Sequence, residues 1–237
     1  MGWIGEIKSR LSEFYQELNS VCLKYGRSSG DIDVLYATKY LSSDQLYEFI
    51  PVASTFRNPV ILGENRVQAA EKKFSIAASQ IPSNVVIKKI MMGTLQKNKI
   101  NKTLDLFDEI HSIDSLELAK SIDMRLNSIQ KTLYGYLEVN ISKENTKHGV
   151  KEEDLDDCIK SLKKFNYLKI TGLMTMAPLT EDEALIRSVF KKLRTQADRY
   201  KLKTSMGMSH DWKIAVEEGS DMVRIGSRLF KTDKPYA

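Results

Sequence analysis

The sequence predicts an α/β fold, a single TIM-type (β/α)8 barrel with one extra helix in front. Three observations carry this expectation. Short apolar runs alternate with helix-period segments along the chain, eight such runs can be counted, and 237 residues suit eight units. Strict strand–helix alternation implies parallel pairing, because parallel strands need crossover connections. Barrels of this kind typically run to about 250 residues. An open doubly wound sheet is the structural alternative. No Pro/Gly/Ser-rich linker and no low-complexity segment splits the chain, so one domain over residues 1–237 is expected.

The first segment reads as an amphipathic helix, with Ile4, Ile7, Leu11, Phe14, Leu18 and Cys22 at three- and four-residue spacing. Gly26 and the Ser28-Ser29-Gly30 cluster end it. Residues 33–38 form an apolar run read as a buried strand, and Ser42-Ser43-Asp44 opens a helix by capping its orphan amides. Further strands are expected at residues 59–62, 85–90, 107–111, 134–140, 168–174, 202–206 and 221–225. Helices between them carry Leu116, Ala119, Ile122 and Leu126, then Leu155, Ile159 and Leu162, then Leu185, Val189, Leu193 and Ala197.

Composition excludes several classes. Hydrophobic residues make up 42% and charged residues 28%, enough apolar surface for a core, which rules out intrinsic disorder. No stretch approaches the roughly 18 apolar residues of a membrane helix. The start lacks a signal-peptide apolar block, and Glu6 stands where a myristoylation motif needs Ser or Thr, so a cytoplasmic protein is expected. Cys22 and Cys158 are too few for a disulfide framework or zinc cluster and read as small apolar residues on helix faces. The net charge of +5 is modest and spread along the chain. The densest basic run, Lys88 to Lys102, reads as a solvated face, with an anion or RNA site as the weaker reading.

Ligands of such folds meet the carboxyl ends of the strands, and the unusual residues fall there repeatedly. Lys39 follows the first strand. It reads either as a snorkelling surface lysine or as a partly desolvated amine suited to Schiff-base chemistry, and position alone does not decide. The loops after strands seven and eight form the common phosphate site of barrels. There Ser209 reads as a helix N-cap, and Gly226-Ser227 offers amides that an anion can approach closely. Taken singly, each motif is better explained by a plain capping turn or a tight turn. A lysine and a phosphate cradle in one mouth suggest a phosphorylated carbonyl ligand, with pyridoxal 5′-phosphate (PLP) the obvious candidate. Met206 and Met208 would sit beside a bound ring. Walker A, strand-following G-x-G-x-x-G and G-x-S-x-G motifs are absent. His111, His148 and His210 lack metal-ligand spacing and read as hydrogen-bonded loop residues.

At these residues the chain resembles the pyridoxal phosphate homeostasis proteins of the YggS/PROSC type. The resemblance runs from about Val34 to Phe230 and rests on Ala37-Thr-Lys39, Gly63-Glu-Asn-Arg-Val-Gln68, Gly93-Thr-Leu-Gln-Lys-Asn-Lys99, His111-Ser-Ile-Asp-Ser115, Val139-Asn-Ile-Ser142, Thr146-Lys-His-Gly149 and Gly172-Leu-Met-Thr-Met176. Most specific are Ser205-Met-Gly-Met-Ser-His-Asp-Trp212 and Gly219-Ser-Asp-Met-Val-Arg-Ile-Gly-Ser227. The resemblance implies a fold-type III barrel similar to the N-terminal domain of alanine racemase. It implies PLP held as a Schiff base on Lys39, with the phosphate on Ser209, Gly226 and Ser227. Arg224 would lie near the pyridine nitrogen or the phosphate, and Asn65 would line the pocket. Two departures stand out: Ile90-Met-Met-Gly93 where many members begin with histidine, and Arg66 where several have tyrosine.

A permanently protonated Arg224 would leave the pyridine nitrogen unprotonated and the ring a poorer electron sink. Racemases on this barrel use a second domain, and only seven residues follow Phe230. The expectation is therefore a PLP carrier with little or no turnover, taking part in intracellular PLP homeostasis. Its partners would be PLP and related B6 vitamers, with apo PLP-dependent enzymes as candidate recipients, no membrane, no nucleic acid, and a monomeric state. A PLP-dependent amino-acid racemase is the alternative, and an RNA- or ribosome-associated module stands well behind both.

Overall fold

The computed structural model describes residues 2–74, 81–142 and 148–231. Helix α1 (Trp3–Lys24) leads. Then follow β1 (Asp33–Ala37), α2 (Ser43–Ser54), β2 (Val60–Glu64), α3 (Val67–Phe74), β3 (Ile87–Met91), α4 (Ile100–Leu106), β4 (Glu109–Ile113), α5 (Leu116–Ser128) and β5 (Leu133–Asn140). The chain continues through β6 (Val150–Lys151), α6 (Leu155–Leu162), β7 (Leu168–Met174), α7 (Glu183–Tyr200), β8 (Lys203–Met208), α8 (Trp212–Glu217), β9 (Met222–Ile225) and α9 (Ser227–Phe230).

Eight strands run parallel in the order β4-β3-β2-β1-β9-β8-β7-β5, and β4 pairs with β5 to close the ring. That closure excludes the open doubly wound sheet and leaves no free edge among these strands. The eight expected strands are all present. The two-residue β6 was not expected; it adds to the end of β5 at Val139 and Asn140. The fourth strand starts two residues later than its apolar run, because Phe107 is buried as the C-cap of α4.

Helix α1 forms because its apolar spacing matches the helical period, and Ile7, Leu11, Phe14, Leu18 and Cys22 are fully buried. This face packs on α2, α8 and α9 and shares one cluster with Phe49, Trp212, Val223 and Leu229. A second cluster lies between the strands and α4–α7, and there Cys158 is buried as an apolar residue. A third, made of Leu35, Ile61, Ile90 and Met222, fills the barrel itself. Among the described residues no helix is long and apolar enough to cross a membrane.

Gly172 faces the ring of Tyr136, where an added Cβ would stand 2.3 Å from Cε2. Gly172→Ala is expected to cost about 1–3 kcal/mol, since overpacking forces the ring or the backbone to move. Urea denaturation measures this, and a neutral substitution would show that the ring is free to shift.

The barrel interior also holds ionisable groups. Side chains two apart on a strand share a face, so Glu109 and His111 both point inward. His111 is fully buried, stacks on Tyr136 at 3.9 Å between ring centroids, and bonds Glu109 Oε2 through Nε2 at 2.9 Å. Lys88 Nζ lies 2.7 Å from Glu109 Oε1. Histidine here is thus a strand residue of the interior, where the sequence suggested a loop. Burial pushes its imidazole below the ordinary pKa of 6.5, against the opposing pull of Glu109. For Glu109, burial acts upward, but hydrogen bonds from His111 and Lys88 outweigh it and hold the carboxyl below its usual value. An unfolded chain takes up the imidazole proton near pH 6.5. The folded chain resists it, so stability is lost as the pH falls from that value toward the lower folded pKa. His111→Gln is expected to flatten this part of the stability curve, measured by urea denaturation from about pH 5 to about pH 8. A slope identical to wild type would show that the imidazole titrates normally.

Candidate functional site

The carboxyl ends of the strands form one mouth, and the chain places its distinctive residues around it. Beyond β1, Thr38 to Tyr40 make a single 3₁₀ turn. Lys39 is exposed on this turn, with Nζ 5.0 Å from the centroid of the Tyr40 ring. Lys231 approaches the same ring at 5.9 Å. Of the two readings of Lys39, the geometry gives a solvent-reachable amine lying over an aromatic face.

The turn is held from beneath. The Thr38 hydroxyl, fully buried, donates to Glu64 Oε1 at 2.7 Å and to the Gly63 carbonyl at 3.1 Å. Lys73 Nζ donates to the Thr38 carbonyl and to Glu64 Oε1, both at 2.7 Å. Glu64 is 1% exposed, so a buried carboxylate and its lysine partner anchor the residue immediately before Lys39. Sequence reading missed this network. Its only signal was an acidic residue ending an otherwise apolar strand.

The loops after β8 and β9 meet through Ser209. Its hydroxyl oxygen accepts from the amides of Gly226 and Arg228, each at 3.1 Å. Ser209 is therefore not the N-cap of α8, as the sequence suggested; that position belongs to Asp211. It binds instead to the start of α9, because the extra turn of Ser209–His210 carries it across to the neighbouring loop. Gly226 packs so closely on the end of β1 that a Cβ would lie 2.9 Å from Ala37 Cβ and 3.0 Å from Tyr40 Cε2. The turn carrying Gly226 and Ser227 thus abuts the turn carrying Lys39.

Arg224, on β9, is 6% exposed and points into the barrel. It donates from Nη1 to the Ser205 carbonyl at 2.7 Å and to Ser205 Oγ at 2.9 Å, and from Nη2 to the Thr175 carbonyl at 2.9 Å. Burial pulls its pKa below the usual value, opposed by Asp211 and Glu138. An arginine stays protonated regardless. Met206 does not reach the mouth: it is fully buried in the layer between strands and helices, alongside Ile214 and Ala215. The expectation that it flanks a bound ring is corrected, because strand alternation turns Ser205 inward and Met206 outward.

On the other half of the mouth lies a cavity of about 540 Å³, lined by Asn65, Arg66, Met92, Lys99, Glu138 and Met176 among others. Asn65 is half-buried and lines this cavity. The basic run does not form a patch. Lys88 pairs with Glu109 inside the barrel, Lys97 with Glu117, and Lys102 with Glu71, while Lys99 lines the cavity. Of the Thr146-Lys-His-Gly149 motif, Thr146 and Lys147 lie outside the described residues. Among the described residues no His/Cys/Asp/Glu group could hold a metal ion.

Residues 49–234 match the family described as alanine racemase, N-terminal domain. The pyridoxal phosphate homeostasis protein of Aquifex aeolicus (strain VF5) is 32% identical over 231 residues, covering 93% of this chain and 96% of that protein. Its counterpart in Escherichia coli (strain K12) is 28% identical over 236 residues, covering 96% of this chain and 97% of that protein. The structure of PipY from Synechococcus elongatus PCC7942 with PLP bound superimposes with a TM-score of 0.78 at 28% identity, covering 95% of this chain and all of that one. On the match of the barrel and of nearly the full length, the chain belongs to the pyridoxal phosphate homeostasis protein family, built on the alanine racemase N-terminal fold.

Proposed function

We propose that this protein binds PLP through Lys39 as a Schiff base and takes part in intracellular PLP homeostasis, with little or no turnover. The observation that carries the reading is the packing of Gly226 on Ala37 and Tyr40, which brings an anion-ready turn beside the Lys39 amine. The group fits the residues present. Two backbone amides already converge on one oxygen, that of Ser209, and a side chain at Gly226 would fill the space between the loops. When bound, PLP supplies an aldehyde that condenses with a primary amine.

In this reading Ser209, Gly226 and Ser227 hold the phosphate, and Asn65 lines the pocket. Arg224 keeps its proton because Ser205 and Thr175 fix it as a donor, so it favours a bare pyridine nitrogen and a weak electron sink. That disfavours carbanion chemistry and supports storage over turnover. The relatives named for PLP homeostasis, and PipY solved with PLP, support the same ligand. Residues 1–237 would act as one cytoplasmic, monomeric unit, releasing cofactor to apo PLP-dependent enzymes.

Titrating the purified protein with PLP tests this. The wild type is expected to develop a Schiff-base absorbance band that Lys39→Ala lacks. No band in either protein would reject the cofactor reading. A racemase or decarboxylase rate lost in Lys39→Ala would reject the carrier reading alone.

A further inference from the structure

The extra helix α1 reaches the phosphate loops through one face. Arg10, Phe14 and Glu17 are spaced by four and then three residues, so their side chains follow one another along about two turns of that face. Each meets a different part of the C-terminal segment. Arg10 Nη1 donates to the Leu229 carbonyl at 2.8 Å and to the Lys231 carbonyl at 3.1 Å. Phe14 meets the Trp212 ring edge-on at 5.1 Å. Glu17 accepts from Arg228 Nη2 through Oε1 and pairs with Lys213 Nζ through Oε2 at 2.6 Å.

These contacts lead to Ser209. Arg228 gives its side chain to Glu17 and its amide to Ser209 Oγ, which also takes the Gly226 amide, each amide at 3.1 Å. Helix α9 is only four residues long. So short a helix has too few internal hydrogen bonds to hold its own orientation, and the direction of its amides is set by what it docks on. On its apolar side, Leu229 and Phe230 enter the cluster shared with α1. On its polar side, Glu17 takes Arg228, and Arg10 fills the last carbonyls, which a helix leaves without internal partners. Both ends of α9 are thus tied to one helix of 22 residues.

We propose that Glu17 and Arg10 are positioning residues for the cofactor phosphate, holding α9 so that the Gly226 and Arg228 amides stay aimed at the seat beside Ser209. In the cofactor reading, on which this rests, Ser209, Gly226 and Ser227 carry the phosphate, and α1 then acts on it from outside the barrel. Because the clamp works through α9, its loss loosens the grip on the phosphate and leaves the Lys39 amine in place.

The test compares PLP with pyridoxal, which has the aldehyde but no phosphate, by titrating the Schiff-base band of the wild type, Glu17→Gln and Arg10→Gln. The Glu17 and Arg10 side chains are 34% and 29% exposed, so both variants are expected to keep the wild-type fold and melting behaviour. Each is expected to lose about three- to thirtyfold in PLP affinity, the range for residues that act on a site without touching it, and less than about twofold in pyridoxal affinity. The two substitutions change the charge in opposite senses. A field effect on the phosphate would tighten PLP in Glu17→Gln and loosen it in Arg10→Gln, whereas the clamp loosens it in both. A PLP affinity within about threefold of wild type, or a tighter one in Glu17→Gln, overturns the proposal. So does a parallel loss of pyridoxal affinity, which marks a structural role alone. Should Arg10→Gln not fold, the same readings on Glu17→Gln decide. No band with PLP in the wild type rejects the cofactor reading and the clamp with it. A wild-type band with unaltered variants rejects the clamp alone.

Discussion

Lys73→Met is expected to lower folding stability by about 3–5 kcal/mol, because it strands the Glu64 carboxylate inside the protein. Glu64 is 1% exposed and the Lys73 side chain 12%, so this pair is one of the deepest ion pairs among the described residues. With the ammonium gone, the carboxylate keeps the Thr38 hydroxyl, and the Thr38 carbonyl keeps the Leu41 amide at 3.0 Å but loses the charged donor. The expected remedy is Glu64→Gln in the same chain, which removes the charge and should recover most of the loss. Urea denaturation of the two single variants and the double variant gives the coupling directly. A loss below about 1 kcal/mol for Lys73→Met would place the pair among ordinary surface bridges and sink the argument. The same variant should also form the PLP band more slowly, since the turn before Lys39 loses its anchor.

Trp212→Ala is expected to cost a similar amount, about 3–5 kcal/mol, for a different reason. The indole is 2% exposed and meets the Phe14 ring edge-on at 5.1 Å, joining α8 to α1. Its backbone also packs on Gly207, which has φ +95°, and a Cβ there would lie 3.1 Å from Trp212 Cα. Deleting the ring therefore opens a cavity directly behind the loop that carries Ser209. At about 2–4 °C per kcal/mol for a chain of this size, scanning calorimetry should show a clear fall in Tm. Trp212→Phe, which keeps an aromatic ring, should lose much less. Equal losses for Ala and Phe would show that indole-specific contacts, not filled volume, are what matter.

The legible part of the site was the part made of local chain. Lys39 after an apolar run, glycines in loops, and serine before a helix are signals carried by a few consecutive residues, and they lie around one mouth as expected. Ser209 shows the limit of that reading. Its hydroxyl serves the start of α9, seventeen positions further along at Gly226, instead of its own helix. The methionine that seemed placed for a ring, Met206, faces the opposite side of the sheet, because alternation along β8 turns Ser205 inward and Met206 outward.

What the sequence by itself determined was the alternation of strands and helices, hence parallel pairing, since hydrophobic period and caps are local properties. Family motifs added the residues that mark the mouth. Only the tertiary structure decided that the sheet closes, through the pairing of β4 with β5. It also decided which charges are brought together in the interior: Lys73 with Glu64, and Lys88 with Glu109 and His111. These partners are distant in sequence or differ in which face of a strand they occupy. A charge is read from one residue, but its burial and its partner depend on where the rest of the chain lies.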